Sequence, residues 1–257
     1  MQKIDFFGTF ISEINEYNQL KMIKGIVDSD IPGFVTYTNV HVVVTAIVDK
    51  DLQNAINSAN IVSPDGTPLV WIAKKRGFKN ICKCSGPDMM KKLLEASCEF
   101  GYSNYFYGST EKTLNQLEQQ LRLDYLNIKI SGMYSPPYRE LTEEEIQNDI
   151  NRINCSKSDI IWVGLGAPKQ EIWMSKAVKR LDRGVLLGVG AAFDFFAKSK
   201  KRAPLWMQKK GLEWLFRLFS EPRRLWKRYL TTNTLFIYYL IKYKLFNKNI
   251  KNNINNV

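Results

Sequence analysis

Ile160-Ile-Trp-Val-Gly-Leu-Gly-Ala-Pro-Lys-Gln-Glu171 is the stretch that decides the fold. Its opening run is apolar with no polar alternation, the pattern of a strand covered on both faces. Gly164 and Gly166 allow a tight turn, and Pro168 starts a helical pattern over Gln170–Arg180. A strand feeding a helix through a glycine turn is half of a parallel βαβ unit. The same arrangement recurs on both sides of it. Strand-like runs occupy Phe34–Thr38, Asn60–Ser63, Asn104–Tyr107, Ile128–Ser131 and Val185–Val189. Helical patterns occupy Leu52–Ala59, Leu69–Arg76, Asp88–Phe100, Glu111–Leu123 and Glu143–Ile153. Val42–Val48 has the β-branched content of a strand, but its place between Asn39 and Asp49 favours a buried helix. The alternation predicts an α/β fold, a Rossmann-like parallel sheet with helices on both faces.

The charge divides the chain. From Lys198 to Val257 there are 15 Lys and Arg against two acidic residues, Glu213 and Glu221, whereas residues 1–197 carry 22 basic and 23 acidic side chains. The organisation expected is an α/β catalytic domain over 1–197, a basic aromatic helical appendage over 198–246, and an Asn/Lys-rich, disordered end over 247–257. Leu212, Leu215, Phe216 and Phe219 recur at helical spacing. Pro222 then opens a second helix in which Arg223, Arg224, Lys227 and Arg228 bracket Trp226 and Tyr229. Cations beside Trp, Phe and Leu suit helices lying in an anionic membrane interface. The same residues would also fit helices packed on the α/β core with solvated arginines. Nucleic acid would accept similar cations, but no reader motif accompanies them. The reading adopted is an anionic membrane surface and no nucleic acid. No run approaches the ~20 apolar residues of a membrane-spanning helix, and MQKIDFFGTF lacks the apolar core of a signal peptide. Cys82, Cys84, Cys98, Cys155 and the lone His41 complete no zinc set, so free, mostly buried thiols are expected.

In parallel sheets, ligands bind where strand runs stop. Gly108-Ser109-Thr110-Glu111 would aim helix N–H groups at an anion, or form an ordinary capped turn. Gly164–Gln170 repeats that design and offers Gly166, Lys169 and Gln170; two such turns on one edge fit a diphosphate, most simply a nucleoside diphosphate. Asp65, after Ile-Val-Ser-Pro, reads equally as a turn residue and as a general base in a cleft. Thr38 and Asn39 could bind sugar hydroxyls or cap a helix. Tyr138, after two prolines, could stack on a base or be a surface aromatic. Asp194 could accept from a ribose or simply end a strand. Lys83 could meet a phosphate or be solvated, and His41 reads as a structural histidine. No D-x-D motif ends a strand, so a metal-independent reaction with no cofactor is expected.

Together, Thr38-Asn39-x-His41, Ser63-Pro-Asp-Gly66, Gly86-Pro-Asp88, Gly108-Ser109-x-Glu111, Gly164–Glu171, Gly188-Val-Gly-Ala-Ala-Phe-Asp194, Lys201-Arg-Ala-Pro204 and Glu221–Arg228 resemble the WecG/TagA/CpsF family of bacterial glycosyltransferases. The ordered series spans about Ile31 to Leu230. The resemblance implies inverting, metal-independent transfer of an N-acetylmannosamine-type sugar from a UDP donor to an undecaprenyl-diphosphate-linked GlcNAc. It places the enzyme peripherally on the cytoplasmic face of the bacterial plasma membrane, in teichoic acid or surface polysaccharide synthesis. UDP-ManNAcA and UDP-glucose remain alternative donors, and a non-catalytic membrane- or nucleic-acid-binding protein with a degenerate nucleotide site is the alternative from another class. Residue by residue, it implies that Asp65 is the base, and that Thr38, Asn39 and Gln170 lie at the donor sugar and diphosphate. Asp194 and Tyr138 match nucleoside contacts. Arg217, Arg224 and Lys227 or Arg228 match cations for the lipid diphosphate. The family usually has Arg where this chain has Lys83, which keeps the charge and loses the bidentate fork. The sequence leaves the oligomeric state open, a homo-oligomer included.

Overall fold

The computed structural model describes residues 1–243. The chain starts with an antiparallel hairpin, β1 (Lys3–Phe6) and β2 (Thr9–Ser12), and a helix, α1 (Glu16–Asp28). None of these was legible in the sequence. The hairpin turns through Phe7 at φ 59° and Gly8 at φ 88°, with the Gly8 N–H donating to Asp5 Oδ1 at 2.7 Å. An aromatic residue with positive φ is uncommon, and Phe-Gly is not a turn pair that sequence flags.

The main sheet comprises β3 (Gly33–Thr38), β4 (Ile61–Pro64), β5 (Ser103–Gly108), β6 (Lys129–Tyr134), β7 (Ile160–Gly164) and β8 (Val185–Gly188). All its pairings are parallel, in the spatial order β4-β3-β8-β7-β5-β6. The β7 run quoted at the outset lies inside the sheet, between β8 and β5, and its apolar residues are buried. Expected and observed strands agree to within a few residues at each end.

Helices cover both faces. On one lie α2 (Val40–Val48), α3 (Lys50–Asn57), α4 (Thr67–Lys75), α7 (Glu143–Ser156) and α8 (Lys169–Ala177, prolonged by a 3-10 turn over Val178–Arg180), together with the hairpin. On the other lie α1, α5 (Gly86–Phe100), α6 (Glu111–Asp124) and the short α9 (Ala192–Phe196). α2 is a helix despite its valines. Asn39 Oδ1 caps it by accepting from the Val42 N–H at 3.2 Å, and Val42, Val43, Val44 and Ala46 are buried against neighbouring elements, so packing overrides propensity.

The tail folds as α10 (Leu205–Lys209), α11 (Glu213–Ser220) and α12 (Pro222–Lys242). The core-packing alternative is realised by part of it, while other apolar residues of the tail stay exposed. One face of α12 joins the core, since Leu225, Phe236 and Leu240 are buried. The Phe7 ring meets Phe236, Tyr239 and Tyr243 at centroid distances of 5.9, 5.7 and 5.5 Å. An adjacent face of the same helix, carrying Trp226, Leu230, Ile237 and Ile241 at helical spacing, is exposed. α10 and α11 bury no residue fully, and leave Leu205, Trp206, Trp214 and Phe219 exposed. Among the described residues no helix is long and apolar enough to cross a membrane. The expected disordered end at 247–257, and the end of the appendage at 244–246, lie outside the described residues. The described cysteines are free; Cys84 is buried, Cys82 and Cys98 are half-buried and Cys155 is exposed, so burial is less general than expected.

Because α12 is part of the core, Phe236→Ala is expected to destabilise the protein by about 3–5 kcal/mol. Trp226→Ala and Ile237→Ala on the exposed stripe should each change stability by no more than about 0.5 kcal/mol. Urea denaturation followed by circular dichroism separates the two groups.

Candidate active site

Parallel pairing brings the carboxyl ends of all six main-sheet strands to one edge. Across that edge stand Asp65 after β4, Thr38 and Asn39 at β3, Gly188 at β8, Gly164 and Gly166 at β7, Gly108 and Ser109 at β5, and the turn to Tyr138 after β6. Register sets β3 and β4 level, with Thr38 opposite Pro64, and the Asp65 N–H donates to Thr38 O at 2.9 Å. The two turns touch, since a Cβ added to Gly66 would lie 3.9 Å from Asn39 Cα.

Asp65 is a strongly perturbed carboxylate of this edge. Burial pushes its pKa from an ordinary 3.8 up to about 6, with the Glu213 carboxylate acting the same way and Lys83, Arg217 and Arg202 opposing. A carboxylate poised near neutrality, among cations that do not fully neutralise it, has the properties of a general base. Beneath it, Ser63 Oγ donates to Gln19 Oε1 at 2.8 Å, and Gln19 Nε2 donates to Tyr37 Oη at 3.2 Å. This buried polar chain holds the ends of β3 and β4 together.

Gln170 extends from the first turn of α8 over the end of β8. Its Nε2 donates to Gly188 O at 3.0 Å and to Glu171 Oε1 at 2.9 Å. Gly188 permits this approach, since a Cβ there would fall 3.0 Å from Gln170 Nε2. The buried Gln170 Oε1 has no protein partner. Gly108 and Ser109 form a turn at φ 116° and 61°, locked to β7 by the Ser109 N–H donating to Gly164 O at 3.1 Å. A Cβ on Gly108 would meet Gly164 backbone at 2.7 Å, so only glycine fits. Gly166, at φ 78°, is required for its conformation, because the space beside it is open. The bland readings of Asn39 and Thr110 hold at least in part, since both cap helices, α2 and α6.

Tyr138 is fully exposed beyond the edge strand β6, about 24 Å across the sheet from β4 at 4.8 Å per strand. The Lys169 ammonium lies 5.5 Å from its ring centroid, which brings it toward the start of α8. Asp194 pairs with Lys200 at 3.1 Å, and Lys200 also reaches Glu221 at 3.4 Å. Beside them a pocket opens between α9 and α11, lined among others by Phe195, Lys200, Lys201, Phe216 and Arg217. The remaining tail cations differ in setting. Arg224 is exposed and pairs with Glu221 at 2.6 Å, while Lys227 lies over Trp226 at 5.6 Å. Arg228 is half-buried, its Nε unpartnered, and its charge joins burial in lowering the His41 pKa to about 4. His41, in the first turn of α2, is therefore neutral.

Sequence reasoning singled out Lys83 for a phosphate but missed the ion pairs that tie the tail to this edge. Lys83 pairs with Glu213 at 2.9 Å. Arg202 donates to Glu213 Oε1 at 3.1 Å, to Asp88 Oδ1 and Oδ2 at 2.6 and 3.0 Å, and to the Ser85 hydroxyl at 3.2 Å. Ser85 caps α5 and Glu213 starts α11. Lys83 and Glu213 are 130 positions apart, so no local pattern reveals the pair; the one available signal was that Glu213 is one of just two acidic residues in the tail.

A parallel sheet whose carboxyl edge joins a near-neutral carboxylate to glycine turns and several cations defines an α/β group-transfer enzyme for anionic substrates. The chain belongs to the glycosyl transferase WecG/TagA/CpsF family, whose model matches residues 4–250. It is 30% identical over 208 residues to an N-acetylglucosaminyldiphosphoundecaprenol N-acetyl-beta-D-mannosaminyltransferase of Bacillus subtilis, covering 81% of this chain and 79% of the relative. A protein with the same description from Bacillus spizizenii is 28% identical over 204 residues, covering 79% of this chain and 77% of the relative. The protein is a glycosyltransferase.

Asp65→Asn is expected to abolish sugar transfer while raising the melting temperature. Since the folded pKa of Asp65 lies above its unfolded value, the ionised carboxylate costs stability that accumulates as pH rises from about 4 to 6. The gain in melting temperature should therefore be large at pH 8 and shrink toward pH 4, as differential scanning fluorimetry across that range would show.

Proposed function

We propose that this protein transfers an N-acetylmannosamine-type sugar from a UDP donor to a GlcNAc carried on a polyprenyl diphosphate, with inversion, at the inner surface of the bacterial plasma membrane. The observation that carries the reading is the place of Asp65 at the carboxyl end of β4, where burial raises its pKa to about 6 and the charges of Lys83, Arg217 and Arg202 act on it. Asp65 takes the proton from the acceptor hydroxyl as that oxygen attacks the anomeric carbon. The bond from that carbon to the UDP oxygen breaks, and UDP leaves as an anion. The N–H groups at the starts of α6 and α8 and the unpartnered oxygen of Gln170 suit the donor diphosphate and sugar. Arg217, Arg224, Lys227 and Arg228 suit the diphosphate of the acceptor. With so much fixed positive charge near the reacting phosphates, the reaction needs no divalent metal.

Membrane docking is supported by the exposed stripe Trp226, Leu230, Ile237 and Ile241 beside the exposed Trp206, Trp214 and Phe219. Arg223, Arg224 and Lys227 flank it, and each basic side chain near an anionic leaflet adds about 1 kcal/mol. Deleting everything after Lys198 would also strip Leu225, Phe236 and Leu240 from the core, so point variants on the exposed stripe test docking better than truncation.

Three measurements test the proposal. Purified protein with a synthetic polyprenyl-diphosphate-GlcNAc should release UDP from UDP-ManNAc faster than from UDP-ManNAcA or UDP-glucose, and no release from any donor would overturn the assignment. EDTA should leave the rate unchanged. Vesicles containing phosphatidylglycerol should cosediment the protein, and Trp226→Ala with Ile237→Ser should release it without lowering turnover on a short, water-soluble acceptor.

A further inference from the structure

Glu213 is a half-buried carboxylate of the tail whose two oxygens are both taken by cations. Oε2 meets Lys83 Nζ at 2.9 Å, and Oε1 accepts from Arg202 Nε at 3.1 Å. The side chains of Glu213, Arg202 and Lys83 are only 19%, 20% and 23% exposed, so these pairs are shielded from the solvent screening that weakens surface ion pairs. Lys83 follows the loop that runs beside β4, and the Cys84 N–H donates to Pro64 O, one residue before Asp65, at 3.0 Å. Arg202 is held from its other side by Asp88 and Ser85 at the start of α5. Glu213 therefore sits where the tail meets the Asp65 edge, and fixes two cations there.

We infer that Glu213 is a positioning residue for sugar transfer, holding Lys83 and Arg202 in place beside the Asp65 edge. The inference rests on the proposed role of Asp65 as base. The charged and titratable groups facing Asp65 are Lys83 from the loop, Arg202 from the segment after α9, Glu213 and Arg217 from α11, and Tyr37 from β3. Facing Glu213 are Lys83, Arg202 and, from α12, Tyr229. Of the groups around Asp65, Lys83, Arg202 and Arg217 favour its ionised form and Glu213 opposes them. Without Glu213, Lys83 would lose its ion pair, and both Lys83 and Arg202, the latter still held by Asp88 and Ser85, would act on Asp65 with no opposing carboxylate. Asp65 would ionise more readily, become a weaker base and abstract the acceptor proton more slowly. Lys83 would also gain rotational freedom that a bound diphosphate must then remove.

The test is the pH profile of Glu213→Gln, with Glu213→Asp as the conservative control and wild-type protein alongside. In Glu213→Gln the acid limb of kcat/KM for the polyprenyl-diphosphate acceptor should move to lower pH by about one unit, and kcat at neutral pH should fall about tenfold. Glu213→Asp should recover part of both and keep a smaller shift of the same sign. UDP binding by calorimetry and the melting temperature establish that the variant is folded with its donor site intact. If Glu213→Gln is folded and keeps the wild-type acid limb, the inference is wrong. It is also wrong if the variant gains acceptor affinity at unchanged kcat, because Glu213 would then be a stand-in displaced by the acceptor diphosphate. Should Glu213→Gln be unfolded, the Glu213→Asp profile decides, since a carboxylate withdrawn by one methylene should show the same shift at smaller size; a wild-type profile overturns the inference. Wild-type turnover in the same assay tests the role of the protein as a transferase separately.

Discussion

The guanidinium of Arg202 is the point on which body and tail depend. It spans Asp88 and Ser85 at the start of α5 and Glu213 at the start of α11, with the Lys83–Glu213 pair continuing the chain of charges. Arg suits this position because its planar fork serves several acceptors at fixed angles without losing its charge. Half-buried charges are costly when alone, so removing any member leaves the others under-paired in a poorly solvated place. The network therefore acts as a unit. Its partners hold the Asp88 and Glu213 carboxyls below their ordinary range. That contribution to stability is present above the ordinary carboxylate range and is lost as pH falls through the depressed folded values.

The same neighbourhood drives Asp65 the opposite way. Asp88 and Glu213 touch cations directly and stay ionised, whereas the charges around Asp65 act on it without a direct ion pair among the contacts of the described residues, and burial prevails. Three carboxylates at one edge are thus sorted by contact into two structural anions and one titratable group. Catalytic sites separate acid and base roles by this kind of difference in environment, and residue identity does not determine it.

Strand runs and their glycine endings were legible because each is local. β7, its Gly164–Gly166 turn and the following helix occupy consecutive residues, and burial on both faces leaves a continuous apolar signature. The valines of α2 were harder, because their propensity points to a strand, and the capping by Asn39 and burial among neighbours decide for helix. The hairpin was invisible because its four-residue strands turn through a phenylalanine with positive φ. At the site, Asp65, Gly108 and Gln170 could be located from strand endings, while the pairing of Lys83 with Glu213 is a tertiary event across 130 residues. Patterns of spacing cannot carry that information; only the direction in which the tail returns to the sheet does.

That return explains how one helix can join the core and keep an apolar face exposed. α12 has 21 residues, about 31 Å of helix, and its apolar residues lie on two adjacent faces. The first face, with Leu225, Phe236 and Leu240, is spent on the body, and Phe7 of the hairpin closes over its far end. The second, with Trp226, Leu230, Ile237 and Ile241, is exposed among the described residues. A helix fixed along its length by one face can offer the other to a bilayer without detaching, so on the proposed reading docking costs little reordering. On the same reading it would also set orientation: with α12 in the interface, α11 and its Arg217 would stay joined to the Asp65 edge through Glu213, and the carboxyl ends of the strands would be held at a constant height above the lipid headgroups. An acceptor whose diphosphate lies at the headgroup level would then present its sugar to a base whose position is set by the protein, and diffusion of the lipid in the leaflet would be the remaining search.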